Sequence, residues 1–104
     1  MGFQRPAYDA ELISRLVSAY RIDASDCLSQ IDDALAKDDV VAIAKASCAL
    51  NRAASILYAD AVCAVSSELE QAAHDGNLGK IPAMVQQLRY ENARLIDWLS
   101  VGQT

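Results

Sequence analysis

The stretch DDVVAIAKASCALNRAASILYA, residues 38–59, carries the pattern that decides the fold of this chain. Its apolar residues recur at steps of three and four, which is the spacing of one face of an α-helix. The stripe consists of Val40, Ile43, Ala46 or Ser47, Leu50, Ala53 or Ala54, and Leu57. Asp38 and Asp39 come directly before it, where a carboxylate can cap the first backbone N–H groups of a helix. The stretch therefore predicts a helix over residues 40–57.

Segments on both sides of this stretch show the same period. Upstream, a long helix is predicted from Asp9, as its N-cap, to about Lys37, and its apolar stripe consists of Leu12, Leu16, Tyr20, Ala24, Cys27, Leu28, Ile31 and Leu35. A third helix is predicted over residues 59–74, with a stripe of Val62, Val65, Leu69, and Ala72 or Ala73. A fourth is predicted over residues 78–100, with Ile81, Val85, Leu88, Leu95, and Trp98 or Leu99. We expect Trp98 to close one end of the assembly.

Turn residues separate the last two helices. Gly76 stands just past the end of the third stripe, and Asn77 is placed to cap the fourth helix. Pro82 falls in the first turn of that helix, where its missing N–H has no partner to lose. No stretch alternates with a period of two. Four helices with one apolar stripe each and short connections predict an all-α fold, an antiparallel up-down four-helix bundle that forms a single domain over residues 1–104.

Composition and charge exclude several classes of function. A net charge of -5 and a pI near 4.6 argue against nucleic acid as a partner, because proteins that bind phosphate backbones collect Lys and Arg on one face. No apolar run reaches the roughly 20 residues of a membrane span, and the first residues lack the apolar region of a signal peptide. We therefore expect a cytoplasmic protein with no membrane contact. Three cysteines without a Cys-x-x-Cys pair, and His74 as the single histidine, predict neither a metal site nor a cofactor.

Residues 47–59, SCALNRAASILYA, resemble the signature segment of histidine phosphotransfer (HPt) domains. The pattern of that family is approximately Ala-His-x-Leu-Lys-Gly-Ser-Ala, followed by a Gly-Ala step into the next helix. Without a gap, Cys48 stands at the phosphorylatable histidine, Asn51 at the lysine and Arg52 at the glycine. The positions that agree or continue the same register are Leu50, Tyr58-Ala59, Leu69-Glu70 and the Asp75–Leu78 turn. The similarity extends from about Asp9 to Leu99.

The resemblance implies a four-helix bundle whose partner is a receiver domain, of a response regulator or of a hybrid sensor kinase. The substitutions remove the groups that carry phosphoryl chemistry in the family, since Cys48 offers no imidazole and Asn51 no charge. The chain is therefore predicted to be a module without enzymatic activity that binds a receiver and modulates or inhibits phosphotransfer. The predicted docking face consists of Ala44, Lys45, Cys48, Asn51, Arg52 and Ser55. Cys48 lies about 200° around the helix from Leu50, so we expect it to be exposed.

Two alternatives stay open at this point. One is a phosphocarrier that acts through Cys48 or, as the weaker candidate, through His74, which is expected at the end of the third helix, a whole helix length from the Cys48 face. The other is a structural or oligomerising bundle with an unrelated protein partner, and the sequence does not fix the oligomeric state. Cys27 and Cys63 are predicted to be small core or near-core side chains.

Overall fold

Four helices make up the part of the chain that the computed structural model describes, residues 10–102. They are α1 (Ala10–Ala36), α2 (Val40–Ile56), α3 (Asp60–His74) and α4 (Ile81–Gly102), and no strand occurs in this range. Successive helices pack on one another and α4 returns to α1, so the four close into an up-down bundle. The predicted fold is confirmed. The ends of α2 and α3 lie within one residue of the prediction, as does the end of α1, whereas the predicted N-cap Asp9 lies outside the described residues.

The three chain reversals share one hydrogen-bonded motif. In each, the residue after the helical cap adopts a left-handed conformation: Asp38 (φ 54°), Tyr58 (φ 55°) and Gly76 (φ 68°). The next N–H then donates back to a carbonyl of the last helical turn, at 2.9 to 3.1 Å. This is the Schellman arrangement, which satisfies carbonyls that a helix end would otherwise leave without partners.

The start of α4 differs from the prediction. The N–H of Asn77 donates to Ala72 O at 2.9 Å, so Asn77 completes the end of α3 and does not cap α4. The first carbonyl of the α4 ladder belongs to Lys80, which accepts from the N–H of Met84 at 3.2 Å. Consequently α4 begins at Ile81 rather than near residue 78, with Pro82 in its first turn as predicted.

The core draws its side chains from all four helices, along the predicted stripes. The largest apolar side chains that are fully buried are Ile31, Ile43, Leu50, Val62, Leu69, Ile81 and Leu88. Ser47 and Ser66 are also fully buried, and each hydroxyl donates to the carbonyl one turn earlier, Ile43 O at 2.8 Å and Val62 O at 2.7 Å. These bonds cancel the cost of placing hydroxyls in an apolar core. Cys27 is buried and Cys63 packs against the core, as predicted.

Three predicted core positions are wrong because the helices differ in length. At 1.5 Å per residue, α1 with 27 residues is about 40 Å long and α2 with 17 residues about 26 Å. The first turns of α1 therefore extend past α2, and Leu12 and Leu16 are 43% and 40% exposed. Likewise α4 with 22 residues extends past α3 with 15, and Trp98 is 71% exposed rather than closing the bundle.

Polar side chains join α1 to α4, the pair of neighbouring helices with the least extensive packing. The Tyr20 hydroxyl donates to Oδ1 of Asn92 inside the bundle, and both side chains are buried. Closer to the surface, Arg89 pairs with Asp32 and Arg21 donates to Ser100. Burial raises the pKa of Tyr20 above its usual value, so its hydroxyl remains a donor at neutral pH. This seam lies on the side of the bundle opposite the contact between α2 and α3.

Candidate functional site

An open groove of about 490 Å³ runs between α2 and the C-terminal half of α3. It follows α2 from Val40 to Arg52, a distance of about 18 Å along the helix axis. Its lining residues are Val40, Val41, Ala44, Lys45, Cys48, Arg52, Glu70, Ala73 and His74. The small and aliphatic members form an apolar floor, and the charged members stand along it. Four of the six predicted docking residues line this groove.

Cys48 lies in the middle of the groove and is half-buried, not exposed as predicted. Its helical position does point away from the core, but the side chain one turn later lies against it. Nη2 of Arg52 approaches Cys48 Sγ at 3.6 Å, which is hydrogen-bonding distance for sulfur. The hydrogen bond to Cys48 raises the pKa of Arg52 above its usual value, so the guanidinium is charged at any physiological pH. The pair places a fixed positive charge beside the Cys48 sulfur.

Asn51 and Ser55 belong to the contact between α2 and α3 rather than to the groove. Nδ2 of Asn51 donates to Cys63 O at 2.9 Å and to Ser67 Oγ at 2.8 Å, both on α3. Ser55 Oγ donates to Asn51 O at 2.9 Å and lies 3.5 Å from Cys63 Sγ. The Asn51 amide therefore ties the two helices together. Ser55 is exposed but lies outside the groove lining.

Ala44 and Lys45 lie at different depths of the groove. Ala44 is only 6% exposed and forms part of the apolar floor, whereas Lys45 is exposed. A methyl side chain at position 44 leaves room for a partner to approach the backbone of α2. The exposed ammonium of Lys45 adds a second positive charge to that of Arg52.

The structure places His74 on this same groove, which corrects the expectation that a helix length separates it from Cys48. Because α2 and α3 run antiparallel, the last residue of α3 lies beside the first turn of α2, where Val40 and Val41 line the groove. His74 is exposed, and its Nε2 lies 3.6 Å from Oε2 of Glu70, one turn earlier. His74 and Glu70 are groove residues that sequence reasoning missed. The antiparallel order and the similar lengths of the two helices were the signals available to find them.

The groove differs in charge from the rest of the molecule. The chain carries a net charge of -5, yet Lys45 and Arg52 stand along the groove against the single carboxylate of Glu70. Among the described residues, no group of three or more His, Cys, Asp or Glu side chains is arranged to hold a metal ion. The groove is therefore suited to negatively charged groups set on an apolar protein surface.

A comparison with models of protein families identifies the family of the chain. The family model of the Hpt domain matches residues 15–98, which include most of α1 and α4 and all of α2 and α3. The chain belongs to the Hpt domain family. Hpt domains act in phosphorelay signalling, where they interact with receiver domains and carry phosphoryl groups rather than catalyse a reaction. Neither the curated proteins nor the solved structures gave a match to the chain.

The Hpt match covers the helices that build the groove. No helix within residues 10–102 is both long enough and apolar enough to cross a membrane. Helix α2 contains no histidine, and the one histidine of the chain stands at the end of α3.

Proposed function

We propose that this Hpt domain binds receiver domains through the groove between α2 and α3 without carrying a phosphoryl group, and that this binding modulates or inhibits phosphotransfer. One observation carries the proposal: Nη2 of the charged Arg52 lies 3.6 Å from the sulfur of Cys48, the residue that the resemblance to HPt domains sets at the relay histidine. A receiver that docks on this part of α2 contacts an arginine and no histidine. The receiver is that of a response regulator or of a hybrid sensor kinase.

The chemistry at Cys48 supports a role without phosphotransfer. A relay histidine attacks phosphorus with a neutral ring nitrogen and holds the phosphoryl group in a bond that an aspartate can take over. Cys48 has no such nitrogen, and its half-buried sulfur already accepts a hydrogen bond from Arg52. Asn51, which the resemblance sets at the family's lysine, has no charge to neutralise a phosphoryl group, and its amide donates to α3 instead.

The shape and charge of the groove support docking of a protein surface. The floor offers Val40, Val41 and Ala44, and the rim offers the exposed cations Lys45 and Arg52. An apolar centre with arginine at its edge is typical of protein interfaces, in which arginine is enriched among the residues that contribute most affinity. A receiver presents an acidic site around its acceptor aspartate, and covering that site blocks transfer to or from it. We place this interaction in the cytoplasm, where a reducing environment keeps the three unpaired thiols reduced.

Calorimetric titration with the receivers of the same organism tests the docking. We expect at least one receiver to bind, and Arg52→Glu to weaken that complex about tenfold or more, equivalent to about 1.4 kcal/mol or more, because it reverses the charge at the groove. Arg15→Glu is the matched control: it makes the same change of charge on the exposed first turns of α1, far from the groove, and affinity should be retained. Absence of binding to every receiver, or equal losses in both variants, would contradict the proposal.

Intact mass measurement tests the claim that no phosphoryl group is carried. After incubation with a phosphorylated receiver, we expect the mass of the chain to remain unchanged, because Cys48 lacks the nitrogen of a relay residue. His74 is exposed in the same groove, so His74→Ala and Cys48→Ala variants are measured in parallel. A gain of one phosphoryl group that disappears in either variant would instead establish the phosphocarrier alternative and identify its residue.

A further inference from the structure

We infer that, in the complex, the Arg52 guanidinium enters the carboxylate-lined pocket of the receiver and competes there with the divalent cation that such a pocket binds. This inference rests on the proposed function and specifies how the same groove acts on its partner. It is based on one contact: the charged, exposed Arg52 lies against the sulfur of Cys48, which stands at the position of the relay histidine in the resemblance.

The surroundings of Arg52 leave its charge available to a partner. Arg15, Arg89 and Arg94 each form an ion pair with a carboxylate. Glu70, in the same groove, contributes to the raised pKa of Arg52, but no carboxylate of the described residues lies within ion-pair distance of it. Its one hydrogen bond uses Nη2 and ends on a sulfur, which is a weak acceptor. A guanidinium has five N–H donors in a rigid fork, so most of them remain for a planar carboxylate. The Cys48 contact fixes the side chain over the groove and reduces the entropy that docking would cost.

The position of Arg52 determines which part of the partner it meets. In a phosphorelay the residue at position 48 would present an anion, the phosphoryl group, to the receiver. Here the group beside that position is a cation, so the sign of the presented charge is reversed. A pocket of carboxylates that contains no phosphoryl group pairs favourably with a guanidinium, in a bidentate geometry that lysine does not reproduce.

Arginine and a divalent cation would exclude each other from such a pocket. Both are attracted by the same carboxylates, and two cations a few ångström apart repel each other strongly once water is displaced. Binding of this protein therefore stabilises the receiver without its metal ion. Exclusion of the cation would therefore act on the receiver in addition to steric cover of the aspartate.

Receiver affinity measured over a series of Mg²⁺ concentrations at constant ionic strength tests this inference. Mutually exclusive binding raises the apparent Kd by one plus the ratio of the Mg²⁺ concentration to its own Kd for the receiver. At ten times that Kd we expect wild-type affinity to fall about elevenfold. By linkage, a saturating amount of this protein weakens Mg²⁺ binding to the receiver by a corresponding factor.

Two variants separate the role of Arg52 from the general charge of the groove. Arg52→Ala should bind more weakly and with little dependence on Mg²⁺, whereas Lys45→Ala, which removes one charge from the same groove, should keep the elevenfold dependence. Wild-type affinity that does not change with Mg²⁺, or an equal dependence in Arg52→Ala, would overturn the inference while leaving the docking intact. If wild-type protein binds no receiver at any Mg²⁺ concentration, the proposed function fails and this inference with it.

Discussion

Tyr58 adopts a φ of 55° at the reversal between α2 and α3, and its side chain is 88% exposed. A left-handed backbone costs a residue with a Cβ about 1–2 kcal/mol, and an exposed ring returns little of that through packing. The resemblance to HPt domains sets Tyr58 at a position where the family pattern has glycine. The structure explains that preference, because this is the left-handed position of the Schellman motif.

Replacing Tyr58 with glycine should therefore stabilise the protein. We expect Tyr58→Gly to raise the free energy of unfolding by about 0.5–1 kcal/mol, which is the relief of backbone strain minus the greater entropy of glycine in the unfolded chain. Urea denaturation measures the change.

The matched control for this substitution is Gly76→Ala at the reversal between α3 and α4. Gly76 has a φ of 68°, and a Cβ built there meets nothing within 4 Å, so the backbone term acts alone. Gly76→Ala should lower stability by about 1 kcal/mol. A loss of stability in Tyr58→Gly would mean that the ring contributes packing that its exposure does not indicate.

At the scale of the element, the α1–α4 seam depends on a buried polar pair. Tyr20 and Asn92 are 3% and 6% exposed, and the hydroxyl of one donates to the amide oxygen of the other. The pKa of Tyr20 is raised, mainly by burial, whereas in the unfolded chain it lies near 10. The folded state therefore holds this proton more tightly than the unfolded state. Its contribution to stability is complete below about pH 10 and is lost as the pH rises above it.

We expect the free energy of unfolding to fall above about pH 10, with Tyr20 contributing up to about 1.4 kcal/mol per pH unit. Tyr20→Phe should be about 1–2 kcal/mol less stable near neutral pH, because the Asn92 oxygen loses its donor, and should show a shallower alkaline decline. Urea denaturation between pH 8 and pH 11 measures both. Subtracting the two proteins removes the other titrating groups, and parallel curves would contradict the role of Tyr20.

The helices differ in how far their sequence predicts them. The stripes of α2 and α3 are buried as predicted except at the two ends of the α2 stripe, Val40 and Leu57, which are half-buried, because neighbours cover each helix along most of its length. The stripe of α1 continues to Leu12 and that of α4 to Trp98, where little of α2 or α3 covers them. Leu12 is 43% exposed, and Trp98 reaches the first residues of α3 yet is 71% exposed. Periodicity identifies the face of a helix that is able to pack. Whether that face is covered depends on the lengths of other helices, which the local pattern does not contain.

At the scale of the whole molecule, the groove combines predicted and unexpected residues. Ala44, Lys45, Cys48 and Arg52 follow from one helical face of α2, and all four line it. The contribution of α3 required the relative placement of two helices. A short reversal and nearly equal lengths bring His74 back beside the start of α2, within the groove that contains Cys48.

Side-chain hydrogen bonds decide which residues of the predicted docking face are available to a partner, and residue spacing does not reveal these bonds. Asn51 shares the helical face of Cys48, yet its amide satisfies a carbonyl and a hydroxyl of α3. Arg52, by contrast, lies back along α2 onto Cys48. Residue type and position alone do not distinguish an arginine that faces a partner from an asparagine that joins two helices. The contacts of each side chain separate the two roles.

The measurement that tests the central claim most directly is an NMR titration of the isotope-labelled protein with the receiver that binds it. We predict that the largest amide shift changes fall on residues 40–52 of α2 and 70–74 of α3, with the Arg52 side-chain signals among them. The α1–α4 seam around Tyr20 and Asn92 should change little. Absence of any change with every receiver of the organism, or changes confined to α1 and α4, would contradict the account.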